Sequence, residues 1–160
     1  MVAYVAGNIP ETCHPKVRAL TEYWLSIHPD EGIPGRQHFE PLDVPALLPN
    51  IYLVDVCPHT RGFTFRLMGT ALVKLFDRDH TGLPFESAYD SGRRSHSYRD
   101  MAEMLRSRQP RWRRAPGYFR KDRDHLTLER VVLPLAKDGW TVDIFLGMIL
   151  AHTKGGEEVA

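Results

Sequence analysis

Two acid–arginine pairs on predicted strands are the residues of this sequence best suited to bind a ligand. Asp55 and Arg66 are diagonal neighbours on one face of a predicted hairpin, and Arg130 and Asp143 are diagonal neighbours on a face of another. The fixed fork of donors on arginine suits a carboxylate or amide, so the four side chains could form one polar anchor. The alternative is two structural cross-strand ion pairs of about 0.2–1 kcal/mol each. The pattern favours these structural pairs, and it leaves open which face of the sheet carries the four charges.

A carboxylate also stands on a predicted strand face that is otherwise apolar, at Glu129. It must find a partner or raise its pKa, so a pocket residue and a satisfied buried acid both remain open. From the helical side, Tyr98 and Met101 could line a pocket, although an apolar stripe at helical spacing is also ordinary core. The predicted ligand-binding residues are Arg66, Phe76, Phe85, Tyr98, Met101, Glu129, Arg130 and Asp143.

Metal-binding and catalytic patterns are absent from the sequence. None of the 8 histidines lies four residues from another, whereas zinc needs three or four converging nitrogen or sulfur ligands. No GxSxG, GxGxxG or phosphate-binding Gly-Lys-Ser/Thr pattern occurs. Cone-shaped α+β enzymes use a His/Asp dyad, which His125 and Asp143 could supply, but their predicted faces differ. We predict no metal, no cofactor and no catalytic residue, and keep a cone-type enzyme as the alternative.

A basic stretch runs from Arg106 to Arg123, with eight basic residues and one acid around the aromatic residues Trp112, Tyr118 and Phe119. Basic charge with interleaved aromatics is one pattern of single-stranded nucleic-acid binding. Charge on an exposed edge strand also prevents edge-to-edge aggregation. The net charge of the chain is only +1, so no overall field attracts nucleic acid. We predict no nucleic-acid partner, and the stretch could still dock an acidic protein.

The composition predicts one globular domain. The chain has 160 residues, of which 42% are hydrophobic and 26% charged, and only two cysteines. This length allows a sizeable core, and so few cysteines fit a reducing compartment. The longest apolar stretch, Val142–Ala151, contains Asp143 and is too short to span a bilayer. We therefore predict a cytoplasmic protein that has no membrane partner.

Hydrophobic spacing predicts the elements that position these residues. A helix is expected over His14–His28, with Val17, Leu20, Trp24 and Ile27 on one face. It belongs to an amino-terminal helical extension, residues 1–32, which precedes the main domain at 33–152 and a disordered tail at 153–160. Further helices are predicted from Thr70 and over Gly92–Arg108, and the predicted strands are Ile51–Cys57, Gly62–Gly69, Arg111–Lys121, His125–Ala136 and Trp140–Ala151.

This order of elements predicts an α+β fold with a five-stranded antiparallel sheet. Two strands, a helical excursion and three strands place the intervening helices together on one face of the sheet. A groove between that face and the helices is where a small ligand would bind.

Four segments resemble a bacterial branch of the PAS superfamily, and the similarity extends over about residues 16–151. In chain order they read LDVPALLP (42–49), FRLMGTAL (65–72), DRDHTG (77–82) and LERVVLPL (128–135). The resemblance implies the strand order 2-1-5-4-3, a ligand pocket between sheet and helices, and dimer formation. This order places the basic stretch on an edge strand, so we interpret the stretch as a charged edge. PAS haem sensors use one histidine on the helical side, which makes His80 and His96 the haem candidates. A flavin photoadduct would need a cysteine in the helical excursion, and neither Cys13 nor Cys57 lies there.

The resulting prediction is a stand-alone PAS-type sensory module that binds a small, partly apolar metabolite. It would signal through a homodimer or a regulatory protein partner, with the amino-terminal helix as the moving or dimerising element. The alternatives are the cone-type enzyme and a scaffold that works only through protein contacts.

Overall fold

The computed structural model describes residues 2–117 and 119–160. Tyr118, named above with the basic stretch, therefore lies outside the described residues. The strands are β1 (Tyr4–Ala6), β2 (Ile9–Pro10), β3 (Ile51–Val56), β4 (Phe63–Met68), β5 (Arg111–Pro116), β6 (Thr127–Leu135) and β7 (Ile144–His152). The α-helices are α1 (Pro15–Ser26), α2 (Thr70–Leu75) and α3 (His96–Ser107), and short 3-10 turns occupy much of 36–50 and 85–94.

The main sheet has five antiparallel strands in the order β4-β3-β7-β6-β5. This order confirms the predicted 2-1-5-4-3 arrangement of the α+β fold. The hairpin between β3 and β4 closes around residues 58–61, as the turn signals there predict. The long central strands β6 and β7 pair from Thr127 opposite His152 to Leu135 opposite Ile144.

Each face of the sheet packs against its own helices, because side chains alternate along a strand. One face carries Tyr52, Val132 and Phe145, and it packs against α2 and α3. The other face carries Leu53 and Leu133, and it packs against α1. The central strands are therefore buried on both sides, which explains why β6 and β7 are almost continuously apolar.

Helix α1 begins at a histidine cap and a proline. Nδ1 of His14 accepts a hydrogen bond of 3.0 Å from the Lys16 amide, and a proline at the first position costs no hydrogen bond. Val17, Leu20 and Trp24 of α1 are buried against the sheet, where Nε1 of Trp24 donates to the Pro134 carbonyl at 3.0 Å. The stripe predicted to move or to dimerise is thus occupied within this chain.

Simple alternation along the predicted strands would place Leu67 and Val142 on the wrong faces of the sheet. A β-bulge at Arg66 shifts the register, so that Leu53 pairs with Leu67 and Val54 pairs with Phe65. Leu67 therefore leaves the face of its neighbour Phe65 and is 46% exposed. Strand β7 begins at Ile144, later than predicted, so Val142 precedes the strand and packs in the core beside α2 and α3.

Both outer edges of the sheet carry hydrogen bonds from loop segments. On β5, the Asn8 side chain donates to the Trp112 carbonyl at 3.0 Å and accepts from the Trp112 amide at 2.7 Å. On β4, the Phe65 amide donates to the Leu83 carbonyl at 3.0 Å, and the Gly82 amide donates to the Phe65 carbonyl at 2.8 Å. The predicted edge position of β5 is confirmed.

The carboxy-terminal segment differs from the predicted disordered tail. Residues 153–156 form a turn, and His152 makes an antiparallel bridge with Glu158. Nζ of Lys16 lies 2.6 Å from a Glu158 carboxylate oxygen, which ties the segment to the start of α1. The amino-terminal extension also differs, since the β1–β2 hairpin precedes its helix. None of the helices in residues 2–117 and 119–160 has the length and apolar character needed to cross a bilayer.

Candidate functional site

A cavity of about 320 Å³ lies between the start of α3 and the strands β5, β6 and β7. This volume is near the lower end of the ~300–1,000 Å³ range of small-molecule sites. One part of its wall is apolar and aromatic, and the other part is polar and basic. It is lined by Tyr89, Ser91, Arg94, Ser95, His96, Ser97, Arg113, Ala115, Pro116, Phe119, Leu128, Arg130 and Ile149.

Two arginines and one aspartate form a cluster at the basic part of the cavity. Asp100, on α3, is buried and receives Nη2 of Arg130 at 2.6 Å and Nη2 of Arg113 at 3.0 Å. Nη1 of Arg130 donates to the hydroxyl of Ser97. Two guanidinium groups against one carboxylate leave the cluster with a net charge of +1.

Hydrogen-bonding capacity in and beside this cluster is not fully used. The Nε atoms of Arg113 and Arg130 and the Tyr52 hydroxyl are buried, and they have no hydrogen-bond partner among the described residues. Burial raises the pKa of Tyr52 and that of Tyr89, so both phenols stay protonated at neutral pH. Tyr52 packs directly against Gly147, where any side chain would collide with its ring.

The first turn of α3 forms one wall of the cavity. The Ser95 hydroxyl caps the helix by accepting from the Tyr98 amide at 3.1 Å. His96 and Ser97 follow at the first two helical positions and line the cavity. Unpaired amides at a helix start carry a partial positive charge, which adds to that of the arginine cluster.

Of the predicted ligand-binding residues, Arg130 lines the cavity. Phe76 and Phe85 lie one layer behind the wall, with ring centroids 4.6 Å from Phe119 and 5.1 Å from Tyr89. The other two candidates from the helical side lie elsewhere in the same core. These are Tyr98, whose ring lies 5.0 Å from that of Phe63, and Met101, which is fully buried.

The predicted network of four charges is not formed. Asp55 and Arg66 do pair, at 2.8 Å, but in a partly exposed position on the α1 side of the sheet. Arg130 pairs with Asp100 instead, because its register partner is Ile149 and Asp143 lies six residues earlier in the chain. Burial is the main cause that raises the pKa of Asp143, and the nearby carboxylates of Asp138 and Asp55 raise it further, whereas backbone hydrogen bonds act in the opposite direction.

Glu129 lies on the face opposite the cavity and is a satisfied buried acid. It is 2% exposed. It accepts from Nη2 of Arg114 at 2.7 Å, Nε1 of Trp112 at 3.0 Å and the His14 amide at 2.7 Å. Burial alone would raise the pKa of Glu129, but the hydrogen bonds from Trp112, His14 and Arg114 together lower it.

Three potential metal ligands meet beside the start of α1: His14, His152 and Glu158. Nε2 of His14 lies 3.0 Å from the Glu158 carboxylate, which also receives the Lys16 ammonium. Because Nδ1 of His14 accepts from the Lys16 amide, Nε2 carries the proton of the neutral ring and has no lone pair for a metal. This arrangement fits a hydrogen-bonded link between the tail and α1 better than a metal site.

The two haem candidates differ in burial, since His80 is buried and His96 is exposed. Nδ1 of His80 lies 3.2 Å from the Arg78 carbonyl, and its ring packs near Phe65 and Phe76. His96 is exposed at the mouth of the cavity. His125 and Asp143 precede β6 and β7, which run antiparallel, so they lie at opposite ends of the strand pair and form no dyad.

Sequence interpretation missed Asp100, Arg113 and Ser97. The available signal was the buried stripe of α3, on which Ser97, Asp100, Met101 and Met104 recur at three- and four-residue spacing. A carboxylate on an otherwise apolar helical stripe requires a cation, just as Glu129 does on its strand face. A search of the predicted helices for a carboxylate on a mainly apolar stripe would have identified Asp100.

The five-stranded sheet, its strand order and the cavity beneath α3 together define the PAS architecture. A family model described as a PAS domain matches residues 12–150. The chain belongs to the PAS domain family. The matched range includes α1, and no curated protein matches the sequence.

Proposed function

We propose that this protein is a sensory module that binds a small, partly apolar ligand in the cavity beneath α3. The observation that carries the proposal is the composition of the cavity wall, in which a buried arginine cluster adjoins aromatic and aliphatic side chains. Membership of the PAS family supports a sensory, ligand-binding role in general. We also propose a cytoplasmic location.

The signal would leave through α3 and the turns before it. Ser95, His96 and Ser97 line the cavity, and Arg130 is tied to Asp100 one turn further along α3. A ligand that binds one arrangement of this wall more tightly than another would shift the population between them. The output would be a change at a homodimer interface or in contact with a regulatory protein.

Native mass spectrometry of freshly purified protein, with an absorption spectrum of the same sample, tests the ligand. A retained small mass supports the proposal, and a Soret or flavin band would identify a chromophore. Leu128→Trp should fill the cavity and abolish retention. The matched control is Leu25→Trp on the outer surface of α1, where the side chain is 41% exposed; it should retain the ligand.

Equal retention by both tryptophan variants would overturn the cavity as the binding site. Wild-type protein with no retained mass, and no ligand from a metabolite mixture, would favour the scaffold that acts only through protein contacts. Sedimentation with and without ligand tests the homodimer. Since the α1 stripe is buried within the chain, an unchanged dimer after Leu25→Glu would place the interface elsewhere.

A further inference from the structure

We infer that the ligand is a monocarboxylic acid with an apolar body, bound with its carboxylate at the arginine end of the cavity. This inference rests on the proposed function and adds the chemical class of the ligand. It follows from the charge of the wall, from the unused donors there and from the distribution of apolar surface.

The charged residues that line the cavity are all of one sign. Arg94, Arg113 and Arg130 contribute to the wall, and no aspartate or glutamate of the described residues does so. The carboxylate of Asp100 lies behind them and compensates one of its two paired arginines. A cationic ligand would meet net positive charge in a site that is partly shielded from water, so the field favours an anion.

The arginine donors are not saturated by Asp100. Arg130 is 5% exposed and uses both terminal nitrogens, one on Asp100 and one on Ser97, while its Nε has no partner. Nε of Arg113 is also buried and has no hydrogen-bond partner among the described residues. One aspartate cannot satisfy both guanidinium groups, and a ligand carboxylate would bring two oxygens with about four acceptor sites to this corner. Because both Nε atoms are covered in this structure, the guanidinium groups would turn toward the ligand as it binds.

The remaining, apolar part of the cavity wall favours a ligand whose uncharged portion is apolar. Tyr89, Phe119, Leu128 and Ile149 present rings and branched chains to the cavity. The volume of about 320 Å³ suits a compact molecule. The buried cluster of Arg113, Arg130 and Asp100 is singly positive, and the third cation of the wall, Arg94, is exposed and screened by water. The buried charge therefore matches one carboxylate better than a multiply charged phosphate ester.

The test uses three probes that share one body: 3-phenylpropionate, 3-phenylpropionamide and 3-phenylpropylamine. Each is titrated into the full-length protein while amide resonances of residues 89–97 and 128–130 are followed by two-dimensional NMR. We expect saturable shifts with the carboxylate, at least tenfold weaker binding of the amide, and no binding of the amine. Equal affinity for carboxylate and amide would overturn the charge class and leave the proposed function intact.

Two further outcomes separate this inference from the proposed function. If no probe binds, yet the purified protein retains a neutral or cationic molecule, the carboxylate inference fails alone. If no probe binds and nothing is retained, both fail.

Arginine variants test the position of the carboxylate. Arg94→Gln removes a charge that is exposed, so the fold should be kept, and we expect the dissociation constant of 3-phenylpropionate to rise three- to tenfold. Arg93→Gln is the matched control, because Arg93 is 71% exposed and lies outside the cavity wall. Arg130→Lys keeps the charge near Asp100 but loses the fork, and should weaken binding more than tenfold. Unchanged affinity in Arg94→Gln and in a folded Arg130→Lys protein would overturn the inference.

Discussion

Replacing Glu129 by glutamine should destabilise the protein by about 2–4 kcal/mol at pH 7. One carboxylate oxygen accepts from Arg114, and the other accepts from both Trp112 and the His14 amide. A glutamine must turn its NH2 group toward one of these donor sets, which leaves buried donors without an acceptor at about 1–3 kcal/mol. The lost charge adds a smaller amount, because Arg114 is 46% exposed and can be rehydrated.

The same substitution has a defined pH dependence. The pKa of Glu129 is lower in the folded protein than in the unfolded chain, where a glutamate titrates near 4.3. Its stabilising contribution is therefore present above about pH 4.3, and it is lost as the pH falls through the folded value. The stability gap between wild type and Glu129→Gln should be full at pH 7 and should shrink below pH 4.

Urea unfolding followed by circular dichroism, at pH 7 and at the lowest pH where the wild type remains folded, measures both effects. Glu11→Gln is the control, since this carboxylate is exposed near the same end of α1. A loss below about 1 kcal/mol at pH 7, or an equal gap at both pH values, would refute the account of Glu129 as a carboxylate held by converging donors.

Three other substitutions test separate features. Gly147→Ala should cost about 1–3 kcal/mol in urea unfolding, because its Cβ would collide with the Tyr52 ring; a neutral result would mean that the ring moves freely. Asp143→Asn should raise the urea midpoint at pH 7, because a raised pKa means that the ionised carboxylate destabilises the folded protein at that pH. At pH 3 the carboxyl group is protonated, so the gain should vanish. A gain that persists at pH 3 would exclude this cause. Asn8→Ala removes both hydrogen bonds to Trp112 and should cost about 1 kcal/mol and increase aggregation, measured by unfolding and light scattering; unchanged aggregation would show that the edge needs no cover.

The sheet could be predicted from the sequence because its signals are local. Alternating apolar residues and turn residues mark each hairpin, and the family resemblance supplies the strand order. The errors arose where the chain departs from regular alternation. The bulge at Arg66 reverses the face of Leu67, and the late start of β7 places Asp143 outside the strand.

The site was only partly predictable, because it depends on contacts between elements that are distant in sequence. Arg130 could be found as a charge within a buried strand. Asp100 could not be assigned as the partner of Arg130, because the assignment requires knowing which side of α3 faces β6. Arg114, one partner of Glu129, lies directly opposite it on β5 and could be predicted from strand pairing. The His14 amide also donates to Glu129, but only because α1 packs on the same face of the sheet.

The hydrogen bonds on the two outer strands restrict how copies of this protein can assemble. Trp112 of β5 is already paired by Asn8, and Pro116, which by alternation faces the same way, has no amide hydrogen. Phe65 of β4 is paired by the 82–83 segment. Strand addition across a dimer axis would first have to displace these contacts. The homodimer proposed above would therefore dock through side chains of the helices and turns, and the proposed ligand, which lies beneath α3, would be able to alter that interface.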